Sequence, residues 1–287
     1  MLARFPVRRV VVAVLAMAAY SAPLRAEAEA PPGDDIVVQG AREKEAEVVR
    51  GLARDITANP PVDKPVPRFL EPVCFGATGI ARAPGLTFVE RMTDNARLAG
   101  TKLGGEGCNP NVLVAFVGDG AEQIRKVRKE QPGIFTSIAD WEIKRALAEP
   151  GPVKVLSSFE TRSESGEVID PEQPTNKLGT GSRISLPVQS ALVAVVVLID
   201  RRQALGKTLQ QLADYATLRA LATTRPSAGS AGFETRTMLS LFAGEDPPQE
   251  LTEFDRAYLR ALYATPPNAR AATLASAVAA EYSKGRN

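Results

Sequence analysis

There is no histidine anywhere in the 287 residues. Histidine is the usual general base near neutral pH and the commonest zinc ligand. Its absence excludes a Ser-His-Asp triad, a Cys-His pair and a histidine-ligated zinc site. The serine-lysine spacing S-x-x-K does not occur either. Any catalysis would have to use carboxylates, lysine or backbone donors. Cysteine is nearly as scarce: Cys74 and Cys108 are the only two, and no C-x-x-C pair is present for redox chemistry.

The apolar run near the N-terminus, Val10–Tyr20, follows Arg4, Arg8 and Arg9 and precedes Pro23 and the small residues Ala26, Ala28 and Ala30. A transmembrane helix needs roughly 20 apolar residues, and this run is shorter. Basic start, short apolar centre and small-residue end are the pattern of a secretory signal peptide. Residues 1–26 are therefore read as a signal, cleaved after Ala26, and no cysteine nearby suggests a lipid anchor. The expected location is periplasmic or secreted, with no membrane span after signal removal. Taking the four arginines of residues 1–26 from the 35 basic side chains leaves 31 against 33 acidic ones, a net of −2. Nucleic acid and anionic membranes both need a concentrated basic face. Scattered charges argue against either as the main partner, and the densest run, RKVRK at Arg125–Lys129, reads as the solvated side of a helix. In an oxidising compartment Cys74 and Cys108 should pair. That bridge would contribute about 3 to 4 kcal/mol by restricting the unfolded chain.

Residues 27–67 read as a polar, charged N-terminal segment and linker. EAEAPPGDD is a tail, IVVQG a short apolar patch, and AREKEAEVVRGLARDI alternates charge as an exposed helix does. Pro60, Pro61, Pro65 and Pro67 then favour an extended tether. Residues 68–287 are read as one globular α/β (α+β) domain, a mixed sheet packed with helices and with a helical C-terminal third. Strands are expected in FLEPVCFGAT, NVLVAFV, VKVLSSFETRS and SRISLPVQSALVAVVVLID, the last apolar enough to be central. Helices are expected in LTFVERMTDNARLAG, with Phe88, Met92, Asn95 and Leu98 on one face, and in AEQIRKVRKEQ and SIADWEIKRALAE. After Asp200, TLQQLADYATLRALA carries two apolar stripes and should be packed on more than one side. LTEFDRAYLRALY has a capping pair, Thr252 and Asp255, and an i, i+3, i+4 apolar face. A final helix starts near Ala269.

DRRQALGKT, Asp200–Thr208, ends in Gly-Lys-Thr between a strand and a helix, where a phosphate-binding loop belongs. Arg201 stands where that loop needs its first glycine, so Lys207 and Thr208 read as the opening of an ordinary helix. Asp119 and Glu122, or Asp94, could line a cleft at the carboxyl ends of strands. Asp119 before Gly120 is more simply a turn residue capping the next helix.

The helix at Thr208–Pro226 together with LTEFDRAYLRALY resembles the layout of secreted zincin-type metallopeptidases, in which a strand leads to an HExxH helix. Leu251, Thr252, Asp255, Leu262 and Tyr263 match the last-helix pattern of that group. Aligning HExxH on DYATL places Asp214 and Tyr215 at the first two positions and Leu218 at the second ligand, so the resemblance implies a scaffold whose zinc site is gone. The order of PVCFGATGI, GCNPNVLVAFV, LIDRR, TLQQLADYATLRALA and LTEFDRAYLRALY is similar to a family of exported proteins of sphingomonad-type alphaproteobacteria with no assigned activity. DDIVVQG, Asp34–Gly40, is similar to the box by which outer-membrane receptors engage the TonB protein. The chain lacks the length of a receptor barrel, and a loose strand in the tail is the expectation here.

The functional expectation is a non-catalytic binding protein of the envelope, a pseudoenzyme on a zincin-like scaffold without catalytic, cofactor or metal residues. Its partner would be an envelope protein or a cell-wall component. Asp119, Asp214 and Tyr215 are the weak candidates for a site. The alternative is a carboxylate-dependent envelope hydrolase. A polar pocket with two converging carboxylates would favour the enzyme, and an apolar groove would favour binding.

Overall fold

The computed structural model describes residues 33–57, 64–170, 185–226, 236–243 and 246–285. Residues 1–26, read above as a signal peptide, lie outside them. The chain divides into two units, residues 1–39 and 40–287. Of the first, the structure describes only backbone from residue 33 onward, and it is already helical.

The first helix, α1 (Gly33–Ile56), covers the whole of DDIVVQG, which is therefore helical and not a strand. Further along, Val49, Leu52, Ala53 and Ile56 follow the i, i+3, i+4, i+7 rule and join the main core. The helix expected to be exposed thus buries one face. Its end is tied down by a 2.6 Å hydrogen bond between the Thr57 and Tyr258 hydroxyls and by Arg225 N–H on the Ile56 carbonyl. The compact body starts at Gly40 and not after the prolines, two of whose neighbours, Val66 and Phe69, are themselves core.

Among the described residues the sheet has five strands: β1 (Arg68–Phe69), β2 (Phe75–Thr78), β3 (Val112–Val117), β4 (Val153–Ser163) and β5 (Val188–Asp200). The valine-rich β5 is central, as its apolar run demands. Along one edge it pairs antiparallel with β4 over its full length, with a register shift at Ser158/Phe159. Along the other it pairs parallel with β1 (Phe69↔Leu192) and then with β3 (Val112↔Val195). β3 in turn pairs parallel with β2. The architecture is a mixed α/β layer fold.

Strand alternation sorts the side chains between two cores. Val112, Val114 and Phe116 of β3, Val195, Val197 and Ile199 of β5, and Val153 and Val155 of β4 face the larger one. It is shared with α1, α2 (Arg82–Leu98), α6 (Leu209–Ala222), α7 (Glu253–Ala264) and α8 (Ala271–Lys284). Ala115, Leu156 and Leu198 face a smaller core under α3 (Gly120–Glu130) and α4 (Asp140–Ala148). Between β5 and α6 lies a single turn, α5 (Arg201–Ala204).

Two local signals behave as the sequence implies. Thr252 and Asp255 form a capping box at the start of α7, and Thr208 with Gln211 forms another at the start of α6, where Gly206 takes φ +81. Gly-Lys-Thr therefore opens an ordinary helix. Leu98 departs from expectation: it is exposed, and the inward face of α2 runs through Phe88, Met92, Asn95 and Ala96. The chain leaves α2 at once through Gly100 at φ +80, so the stripe closes on Ala99 instead. The Cys74–Cys108 disulfide is formed and fastens the start of β2 to the loop preceding β3. No helix among the described residues is long and apolar enough to cross a membrane.

Candidate functional site

Asp119 caps α3: its Oδ1 accepts the Glu122 backbone N–H at 2.7 Å from an exposed position. Asp94 is an exposed residue of α2 paired with Arg97 one turn on. Among the described residues neither is bonded to a group that also holds a second carboxylate.

Asp214 is a different matter. The sequence shows no partner for this carboxylate and so places it at a solvent-facing edge, but it is completely buried. Burying a charge requires pairing and hydrogen bonds, and the fold supplies four donors. Arg91 of α2 gives Nε at 2.6 Å and Nη2 at 2.8 Å, Asn95 gives Nδ2 at 2.7 Å, and the backbone N–H of Leu251, just before α7, gives 2.9 Å. The hydrogen bond to Asp214 holds the Arg91 guanidinium above its ordinary pKa. Glu250 bridges Arg91 and Arg256 beside this pair. Asp214 thus locks α2, α6 and the entry to α7 together, and has no free oxygen to offer a substrate.

Tyr215, the next residue, lines a cavity of about 210 Å³. Pro150, Pro152, Pro226, Leu239 and Phe242 contribute to the walls, which among the described residues are mainly apolar and include no carboxylate. The Phe242 ring meets Tyr215 edge-on at 5.1 Å. Behind Tyr215 lies Arg219, fully buried one helical turn along α6. Its Nη1 donates to the Tyr215 hydroxyl at 3.1 Å and its Nη2 to Glu149 Oε1 at 2.5 Å, and the guanidinium lies 5.8 Å from the Tyr215 ring centre. Burial opposes the charge on Arg219, but the Tyr215 phenol and the Glu149 carboxylate hold its pKa above the ordinary value. Burial raises the pKa of Tyr215, so the phenol stays neutral. Glu149 is consumed by this pairing. The site can therefore receive apolar groups against two aromatic rings and three prolines, and among the described residues no carboxylate or lysine lines it.

Two further buried charges serve the scaffold. Asp255 accepts from Thr237 Oγ1, the Met238 N–H and both the N–H and hydroxyl of Thr252; burial raises its pKa although each of these bonds works the other way. Arg68 donates through Nη1 to the carbonyls of Leu262 and Thr265 at the end of α7, and burial pushes its pKa down to about 10. A crevice between α2 and α7 near Asn95 and Arg256 has about 10 Å³, room for at most a single water. Among the described residues no three cysteine or carboxylate side chains are grouped so as to hold a metal ion.

Of the candidates, the fold brings Tyr215 to a cavity, uses Asp214 as an internal lock and leaves Asp119 as a cap. Arg219 and Glu149 escaped sequence reading because they are separated by β4 and β5. The one available signal was an arginine inside an otherwise apolar helix, four residues after a tyrosine. No family model, no curated protein and no solved structure matches the chain.

Proposed function

We propose that the chain is an exported, non-catalytic binding protein whose Tyr215 cavity receives an apolar portion of an envelope partner. The observation that carries this reading is the cavity itself: about 210 Å³, walled by prolines and aromatics, with no carboxylate among the described residues that line it. Binding sites for small apolar groups are concave and mostly apolar, whereas hydrolysis by paired carboxylates needs two of them flanking the scissile bond. Asp214, Asp255 and Glu149 are all committed to internal partners. Few polar groups face the cavity, which favours an envelope protein over a cell-wall glycan, since a sugar needs its hydroxyls answered. Export is supported by the signal-like N-terminus and by the Cys74–Cys108 bridge, which is stable in oxidising compartments. A zincin-like ancestry fits the same picture. On that resemblance Asp214 and Leu218 would stand for the first and second metal-binding histidines, and both are buried in packing.

The test uses an apolar fluorescent dye titrated against the mature chain and against Phe242→Lys, which places a charge in the cavity. Dye binding at one site that weakens at least about tenfold in the variant supports the reading. In parallel, peptidoglycan and a protein substrate are incubated with the chain and followed by mass spectrometry. Release of products that disappears in Asp119→Asn or Glu122→Gln would overturn it in favour of the hydrolase.

A further inference from the structure

We propose that Trp141 is a binding platform for a sugar ring. It is the only tryptophan of the chain and is 58% exposed, although tryptophan is on average among the more buried residues. Within α4 the inward residues are Glu142, Ile143 and Ala146, of which Ile143 and Ala146 join the smaller core. Trp141 stands beside that face, in the first turn. Its ring meets Phe159 of β4 instead, with centroids 5.7 Å apart and planes only 10° from parallel. One face of the indole is therefore covered by Phe159. The exposure that remains belongs to the other face and to the rim of the ring.

The position of the ring is also fixed. Arg128 Nη2 on Asp140 at 2.7 Å ties the start of α4 to α3, and Ser158 Oγ on the Ser137 carbonyl at 2.7 Å ties the approach to α4 against β4. Phe159 follows Ser158 directly, at the register shift between β4 and β5. A side chain held in place beforehand loses less rotamer freedom on binding.

Polar groups stand at the rim. On a helix, residues three and four apart are neighbours, and each side chain leans over the turn before it. Lys144 and Arg145 therefore lean toward Trp141. Lys144 is exposed, and Arg145 holds Glu142 through Nε and Nη2, which leaves Nη1 outside that pair. On the N-terminal side stands Ser137, exposed and held next to Phe159 by the Ser158 bond.

A flat apolar centre one ring wide, with hydrogen-bonding groups at its edge, matches a pyranose with equatorial hydroxyls. Such a sugar shows axial C–H groups on its face, which the negative face of an aromatic ring attracts. Its hydroxyls lie around the circumference. Other occupants fit less well. A proline-rich segment docks in a groove lined by aromatic side chains, but here the two rings are stacked on each other and offer one face. A stable protein interface takes about 800 Å² from each partner, far more than one indole supplies. Single-stranded nucleic acid needs successive platforms along a positive groove, and Arg128 of α3 is already paired with Asp140. None of these residues lines the Tyr215 cavity, so the platform stands whether or not that cavity binds.

Because Trp141 is the sole tryptophan, its fluorescence reports on this one ring. The mature chain is titrated with the tetramers of β-linked glucose and of β-linked N-acetylglucosamine, followed by emission and by calorimetry. A saturable change in emission with either tetramer is expected. Trp141→Ala should weaken the calorimetric binding at least about tenfold, and Trp141→Tyr, which keeps a smaller ring, only about threefold. The side chain is exposed, so unchanged melting temperatures separate loss of binding from loss of fold, and apolar dye should bind the Tyr215 cavity of Trp141→Ala as it does the wild type. Failure of both tetramers to bind overturns the proposal, as does binding that persists undiminished in Trp141→Ala. So does a Trp141-dependent response to a proline-rich peptide or a single-stranded oligonucleotide in place of the sugars, or self-association of the chain that Trp141→Ala abolishes without any sugar binding.

Discussion

Replacing Asp214 by asparagine changes almost no volume and tests the largest revision that the fold imposes on the sequence. The carboxylate receives Arg91 Nε and Nη2, Asn95 Nδ2 and Leu251 N–H on its two oxygens. An asparagine can keep one oxygen in place, but its amide group then points donors at donors. Depending on the flip, the group left facing it is Arg91 Nη2 with Leu251 N–H, or Arg91 Nε with Asn95 Nδ2. A buried donor left unsatisfied costs about 1 to 3 kcal/mol, and breaking a buried ion pair by removing one partner costs about 3 to 5 kcal/mol. Arg91 is 29% exposed and can recover some hydration, which places the expected loss near the low end, about 3 kcal/mol. For a domain of this size each kcal/mol moves the melting temperature by roughly 2 to 4 °C, so a fall of about 6 to 12 °C is expected. Urea denaturation should show a lower midpoint with an unchanged slope. Arg91→Met should cost clearly less in the Asp214→Asn background than in the wild type, by about 2 kcal/mol. A loss below about 1 kcal/mol, or additive single and double variants, would refute the idea that this pair locks α2, α6 and the entry to α7.

Leu212, buried in α6, should cost about 2 to 5 kcal/mol on replacement by alanine, read from the same urea midpoint. Replacing Cys74 and Cys108 together by alanine opens a loop with a sequence separation of 34 and should cost about 4 kcal/mol by chain entropy; an unchanged melting temperature would show that the bridge adds nothing to the fold. Burial raises the pKa of Glu142 against the pull of Arg145. A carboxyl raised on folding favours the folded state when protonated, and this contribution is lost as pH climbs from the ordinary glutamate value through the raised one. Glu142→Gln should therefore gain stability relative to wild type between pH 4 and neutrality in parallel urea titrations, and a constant difference would contradict the shift.

The sheet was legible where a single side-chain pattern dictates a single environment. The runs VLVAFV and VVVLID have no polar face to give to solvent, so they had to be interior strands, and β5 is paired on both edges. The capping box at Thr252–Asp255 was legible because it is local. With only two cysteines in the chain, their pairing needed no long-range information beyond the compartment. α1 was harder to read: Glu47, Arg50 and Arg54 alternate with Val49, Leu52 and Ile56, and a charged face next to a narrow apolar stripe looks alike on an exposed helix and a docked one. What decides is a partner surface, and for α1 that includes Tyr258 at the far end of the chain. The proline-rich segment was likewise read as a tether because composition reports stiffness and not whether the flanking elements return to the same body.

The charged residues failed to show for a related reason. A carboxylate on an apolar helix has two stable fates, to be moved to the rim or to be neutralised in place, and the choice depends on a cation elsewhere in the fold. For Asp214 that cation is Arg91, 123 residues away, and for Arg219 the anion is Glu149, 70 residues away. Both pairs converge on α6. The same helix that lacks histidine has thus committed its acid to Arg91 and its base to Glu149, and the two pairs fix its neighbours in place. A helix held this way cannot release either group for chemistry without the costs estimated above for Asp214. This energetic argument, more than the missing histidines, weighs against chemistry through Asp214 or Arg219 beside the Tyr215 cavity. It also predicts that introducing histidines at Asp214 and Leu218 would not create a metal site: the substitutions would break the Arg91 pair and bury an unpaired imidazole at an apolar leucine position before any ion could bind, and a folded variant holding zinc at one per chain would show this reasoning to be wrong.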